Sequence, residues 1–341
     1  MLRYDIFHYF NDRGILMPPR QFGIATEELE ILRRAGKRLY VFTYGADIRT
    51  RERTLALGDW NFCRDCPSPG TFCVCDEQAG REQLATTSRF ANAVITLGDM
   101  IAYAPGAPNL PYWPIDTDVV GYIGVDSSDG PLKIAHAPNH PEFKGTRYLI
   151  AAIEKLRNEG LPLELVRVQG VANREVLRLF ADADIVADQF IGGAYGYAAL
   201  EAMARGKPVL CYVRDSDMVL APQECPIMQT LPETIEEVLR WCLANRNRLG
   251  AIGRQGRHYV EKYHNMEAVA ARFAQLYLET ADLPPHIAVR LERAVEHDAL
   301  RRAAFPGTSD WRHPFAMALL PKGSGPPPRG DTSSHARAQC L

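Results

Sequence analysis

The chain has 341 residues, of which 46% are hydrophobic and 23% charged, with a formal net charge of −2. That is enough for two domains of ordinary size with buried cores, and it excludes global disorder. The near-neutral balance offers no basic face for nucleic acid. No apolar run approaches the roughly 18 residues a membrane span needs, and Met1-Leu2-Arg3-Tyr4-Asp5 does not open a secretory signal. A cytoplasmic protein, at most peripherally associated with a membrane, is expected.

Short apolar runs alternate with helical patterns. Candidate strands are 5–10, 38–43 and 93–97 in the first half, then 132–136, 163–168, 184–187 and 208–213 in the second. None alternates cleanly between polar and apolar, the pattern of parallel strands covered on both faces. Thr146 can cap a helix in which Leu149, Ile153 and Leu156 share one face before Gly160 stops it. Asn173 can cap a second, with Val176, Leu177 and Phe180 inward. Pro232 suits the first position of a third, carrying Ile235, Val238, Leu239 and Cys242. This alternation predicts an α/β fold of open, mainly parallel sheets, with ligands at the carboxyl ends of the strands.

Two stretches break the rhythm. Residues 103–131 are rich in Pro, Gly and Asp and read as an interdomain connection, with the linker itself at 126–131. Residues 284–341 form a C-terminal extension, and from about residue 306 its Pro, Gly and Ser content predicts disorder. The first half also holds Cys63-x2-Cys66-x6-Cys73-x-Cys75. Four thiolates so spaced can close a structural zinc site. Reduced cysteines packing a loop, a disulfide or an iron–sulfur cluster remain alternatives.

The stretch from His136 to Val209 carries the chemistry. Lys144-Gly145-Thr146 follows a strand and opens a helix, placing a cation beside free N–H groups that suit phosphate oxygens. Gly192-Gly193-Ala194-Tyr195-Gly196-Tyr197 joins a strand to another helix, where glycines admit a ligand close to the backbone. Glu201 falls about one turn into that helix, and accepting hydrogen bonds from ribose hydroxyls gives a carboxylate there a reason to sit near phosphates. Gly206-Lys207-Pro208 stops the helix and feeds the next strand.

The order Lys-Gly-Thr, then Ala-Asp-Ile-Val, then Gly-x-x-Gly-x-x-x-x-Glu-Ala-Met-Ala-x-Gly-Lys-Pro-Val resembles the donor domain of GT-B glycosyltransferases of family 4, over about residues 132–282, within a donor domain placed at 132–283. The resemblance implies two Rossmann-like domains and a UDP- or GDP-sugar donor. It puts Lys144 on the diphosphate and Glu201 on the ribose, with no catalytic metal expected. The backbone of Gly193, Ala194, Tyr195, Gly196 and Tyr197, with Gly145 and Thr146, would line the donor. Gln169, Gly170 and Asn173 would lie around the base. The family's usual first glutamate, eight positions before Glu201, is Gly193 here, so Asp188 is the candidate to contact the donor sugar. The family's usual arginine before the lysine is replaced by the region of Asn139 and His140, which could donate to phosphate.

Residues 1–125 resemble the middle of the family's N-terminal domain rather than its beginning. That implies an incomplete acceptor half, lacking roughly 100 residues. His8, Tyr44, Asp47 and Arg49 are the candidates facing the sugar or acceptor. The resemblance implies retaining transfer to a glycan or lipid-linked acceptor of the kind used in polysaccharide biosynthesis. A non-catalytic nucleotide-sugar-binding protein and a nucleotide-sugar epimerase or hydrolase are the alternatives.

Overall fold

A computed structural model describes residues 4–10, 14–15, 23–45, 47–70, 76–126, 130–306 and 310–317. The first half runs through β1 (Ile6–Phe10), α1 (Thr26–Arg34), β2 (Arg38–Phe42), α2 (Arg51–Leu55), α3 (Glu77–Phe90) and β3 (Ala93–Ile95). Its strands form a parallel sheet in the order β1-β2-β3. The central β2 buries Leu39, Tyr40, Val41 and Phe42 in succession, because both of its faces are covered. Leu29 and Leu32 of α1 pack with Leu39 and Val41 on one side. Tyr40 and Phe42 pack on the other with Leu110, Tyr112 and Leu276.

The second half contains β4 (Leu132–His136), α4 (Pro141–Lys144), α5 (Thr146–Asn158), β5 (Leu163–Arg167), α6 (Asn173–Asp182), β6 (Ile185–Ala187), α7 (Tyr197–Ala204), β7 (Val209–Cys211), β8 (Met228–Gln229) and α8 (Ile235–Ala244). Its sheet is parallel throughout, in the order β5-β4-β6-β7-β8. The chain starts at β4, steps outward to β5, and returns to β6 on the other side. The carboxyl ends of β4 and β6 are therefore a topological switch point, where open α/β sheets leave a crevice.

Three helices follow: α9 (Arg246–Tyr263), α10 (Met266–Thr280) and α11 (Pro285–Ala303). α9 lies against α7, with Gly256 close to Met203. α10 crosses back to the first sheet, where Leu276 is buried and Phe273 and Tyr277 pack beside it. It thereby ties the two halves together.

Three elements depart from the reading of composition. Segment 103–126 is not an exposed tether: Leu110, Tyr112, Ile115 and Val120 are buried, and the Ile115 N–H donates to the His264 carbonyl at 2.7 Å. Residues 310–317, assigned by composition to a disordered tail, are packed on the edge of the second sheet. There Ala316 bridges Met228, the Gln229 N–H donates to the Phe315 carbonyl at 2.8 Å, and Trp311 is buried. Asn173 does not cap α6. The cap is Ala172, and the Asn173 side chain is committed elsewhere.

Candidate functional site

The switch-point crevice is built first from the end of β4. His136 Nδ1 lies 2.8 Å from the Ala187 carbonyl of β6, and its Nε2 lies 2.8 Å from Thr146 Oγ1. A carbonyl only accepts, so Nδ1 carries the proton, and Nε2 accepts from the Thr146 hydroxyl. Burial holds the His136 pKa down to about 4, which keeps the ring neutral. The bond fixes the start of α5 to the sheet. It also corrects the expectation for Thr146, whose buried hydroxyl is spent on His136. Gly145 sits between α4 and α5 at φ +70°, where a Cβ would approach Phe190 Cβ to 3.2 Å. Glycine is needed there for both reasons.

Lys144, one residue earlier, reaches across the crevice to Asp188, with Nζ 2.7 Å from Oδ1. The other oxygen, Oδ2, accepts the N–H of Gly196 at 2.6 Å. Gly196 caps α7, so one carboxylate joins the lysine to the start of that helix. Asp188 was expected to touch the donor sugar. Its side chain is instead 1% exposed, and both oxygens are engaged. It sits behind the crevice wall, because it continues β6 with its N–H bonded to the Leu210 carbonyl.

α7 presents Glu201 to the crevice one turn beyond Tyr197. Glu201 Oε1 accepts from Asn173 Nδ2 at 2.8 Å. Burial raises its pKa above the ordinary carboxylate range, opposed by the Asn173 bond. The glycine stretch before α7 is held in place by Arg214, whose N–H donates to the Gly193 carbonyl at 2.8 Å.

The crevice opens into a cavity of about 640 Å³ lined by both halves. The second half supplies Asn139, His140, Lys144, Asn173, Glu201 and the backbone from Ala194 to Tyr197. The first half supplies Tyr44, Arg49, Phe62, Cys63, Cys66 and Asp99. Arg49 is paired with Asp99 at 2.7 Å and lies over the Phe62 ring. Asp47 accepts the N–H groups of Tyr44 and Gly45 and so shapes the loop after β2. Trp113, from the connection between the halves, packs edge-on against both Tyr44 and Tyr197.

Other expectations fall away from the cavity. Gln169 and Gly170 do not belong to its wall, where Val171 and Val176 stand instead. His8 faces α10: its Nε2 lies 2.7 Å from the Tyr277 hydroxyl, and its ring stacks on Phe273. Burial lowers the His8 pKa to about 4. Of the cysteine set, Cys63 and Cys66 line the cavity, while Cys73 and Cys75 lie outside the described residues. Sequence reasoning missed Phe62, Asp99, Trp113 and Arg214. The aromatic-rich PYW at 111–113 was a signal for one of them.

The segment carrying Phe62 also docks on the second half. Trp60 Nε1 donates to Glu233 at 2.6 Å, Asp65 pairs with Arg147 at 2.6 Å, and Arg214 Nη2 donates to the Trp60 carbonyl at 3.0 Å.

No family model matches the chain, and no curated protein matches it. Solved structures do. Sucrose-phosphate synthase from Thermosynechococcus elongatus is 15% identical, covering 81% of this chain and 73% of its own at a TM-score of 0.53. HepE from Anabaena, in complex with UDP and glucose, is 15% identical, covering 80% and 78% at 0.52. The same protein in complex with UDP-glucose is 13% identical, covering 87% and 79% at 0.50. The fold is GT-B: two Rossmann-like parallel α/β units facing each other across a cleft. Among the described residues no helix is long and apolar enough to cross a membrane.

Proposed function

We propose that this protein is a glycosyltransferase of the family 4 type. In this reading it moves a sugar, with retention, from a UDP- or GDP-sugar to a glycan or lipid-linked acceptor. The observation that carries the reading is the convergence of Lys144, the N-terminus of α7 and Glu201 on one cavity at the switch point, closed by the first half. The diphosphate sits between Lys144 and the α7 N–H groups, which take up the negative charge that grows as the sugar leaves. Glu201, held by Asn173, accepts hydrogen bonds from the ribose hydroxyls. The acceptor enters past Tyr44 and Trp113. The named ligands of the solved relatives, UDP, glucose and UDP-glucose, are of the class this cavity accommodates.

Calorimetric titration of the purified chain with nucleoside diphosphates and their sugars tests the reading. Micromolar binding of one nucleotide, weakened by both Lys144→Ala and Glu201→Ala, supports it and names the base. No binding by folded protein overturns it. Gly193 favours a second reading, a donor-binding protein without turnover, since the family's sugar-contacting acid is missing there. Donor binding without transfer to any glycan acceptor would support that alternative.

A further inference from the structure

Asp188 occupies an unusual place in the proposed donor site. Its carboxylate collects an ammonium, from Lys144 at 2.7 Å, and a backbone N–H at the start of α7, from Gly196 at 2.6 Å. Those are the two kinds of donor that an anionic ligand would use. The packing is tight enough that a Cβ on Gly196 would stand 3.0 Å from Lys144 Nζ and 3.3 Å from both Asp188 oxygens.

The two partners differ in freedom. Asp188 is fixed. Its backbone continues the sheet through the Leu210 carbonyl, Oδ2 also receives the Cys211 thiol at 3.8 Å, and the side chain is 1% exposed. Lys144 carries its charge on a flexible four-carbon stem, is 21% exposed and lines the cavity. Arg49, the cation facing it from the first half, is already paired with Asp99. The cavity therefore presents its lysine and arginine already paired.

We propose that Asp188 is a resident anion of the diphosphate site, from which an incoming nucleoside diphosphate takes Lys144. The inference rests on the donor-binding reading above. Asp188 holds Lys144 and the α7 start in register before the ligand arrives, and it competes with the ligand for the ammonium. A diphosphate carries more charge than one carboxylate and can reach the lysine from the cavity side, so the lysine swings while Asp188 stays. Asp188 is thus a positioning residue that sets the threshold for donor binding. It is not the sugar-contacting acid.

The test is a double-mutant cycle read by calorimetry, with UDP, GDP and the corresponding nucleosides as probes, on Asp188→Asn, Lys144→Ala and the double variant. Asp188→Asn is expected to tighten diphosphate binding, on the order of fivefold to tenfold, by removing the competing charge. The gain should vanish in the Lys144→Ala background, and nucleoside affinity should not move. If Asp188→Asn does not fold, Asp188→Ser removes the same charge, keeps an acceptor for the Gly196 N–H, and carries the same comparison. Unchanged or weaker diphosphate binding in a folded charge-removed variant overturns the proposal, as does an equal gain for the bare nucleoside. Should the parent bind UDP or GDP while the cycle shows no coupling, the donor reading stands and this proposal falls. Should no variant bind either, parent included, both fall.

Discussion

The guanidinium of Arg214 fills the space a side chain on Gly193 would need. A Cβ there would lie 2.5 Å from Arg214 Cζ and 2.7 Å from Nη2, and Gly193 holds φ at +86°. Arg214 is in turn anchored to the Trp60 carbonyl of the first half. A glycine at this position is therefore a requirement of packing. Gly193→Ala is expected to cost roughly 1–3 kcal/mol from backbone strain and displaced guanidinium, read as a lowered Tm. Gly193→Glu should be worse, and Arg214→Ala in the same chain should restore only part of the loss, because the positive φ remains. Full recovery in the double variant would show that the arginine alone excludes the acid.

Burial of Glu201 sets fold stability against the ribose contact proposed for it. Burial raises its pKa, so keeping Glu201 ionised costs the folded chain more than the unfolded one. A raised acid pKa contributes stability below the ordinary carboxylate range, and that contribution is lost as pH rises through the folded value. Glu201→Gln is therefore expected to raise Tm at pH 7.5, with the gain shrinking on acidification, while nucleotide affinity falls. Thermal scans between pH 4.5 and 7.5, with titrations at pH 7.5, check both halves. A lower Tm for the glutamine variant at neutral pH would mean that the Asn173 bond outweighs the desolvation.

Three buried histidines, His136, His264 and His313, and the half-buried His8 set the acid limit of the fold. Burial lowers His8, His136 and His313 to about 4 and His264 to about 3. They hydrogen-bond with the Tyr277 hydroxyl, the Thr146 hydroxyl, the Phe315 N–H and the Tyr195 hydroxyl. Between these values and the ordinary histidine pKa the unfolded chain binds protons that the folded chain does not. Stability is thus complete above about pH 6.5 and falls as pH drops toward 4, by up to about 1.4 kcal/mol per pH unit for each histidine. Urea midpoints across pH 4.5–7.5 measure the slope. Thr146→Val, which leaves His136 Nε2 without its donor, should cost about 1–3 kcal/mol at neutral pH.

The parallel strands were legible because both-face burial writes itself as a largely apolar run without alternation, as in 39–42. β8 was not, since two residues, Met228 and Gln229, carry no period. That Lys144, Gly196 and Glu201 line one cavity was legible because helix starts and glycine turns fix their spacing locally. The sequence does not show that Asp188 turns both oxygens away from the cavity, to Lys144 and the Gly196 N–H. Which face of the β6 end it takes depends on pairing with β7, which composition does not encode. Trp113 and Phe62 arrive from loops whose paths are set by docking between the halves; the Pro111-Tyr112 pair flags Trp113, and nothing in its immediate neighbours marks Phe62.

The strap at 310–317 was hidden for a different reason. Averaged over a Pro- and Gly-rich region, three aromatic or imidazole side chains look like decoration. In the fold they cover an edge: Trp241 of α8 packs against His313 and Phe315, and Trp311 packs against His313. The backbone of Phe315 and Ala316 pairs with β8, the strand at the end of the five-stranded sheet. An uncovered edge strand is a template for pairing with another chain. Trp311→Ala should therefore cost about 3–5 kcal/mol, as for other fully buried aromatics, and lower the urea midpoint accordingly. A chain ending at Phe305 should lose the edge cover altogether and shift to higher-order species in size-exclusion light scattering. A monodisperse truncated chain with an unchanged midpoint would show that the strap rests on the sheet without supporting it.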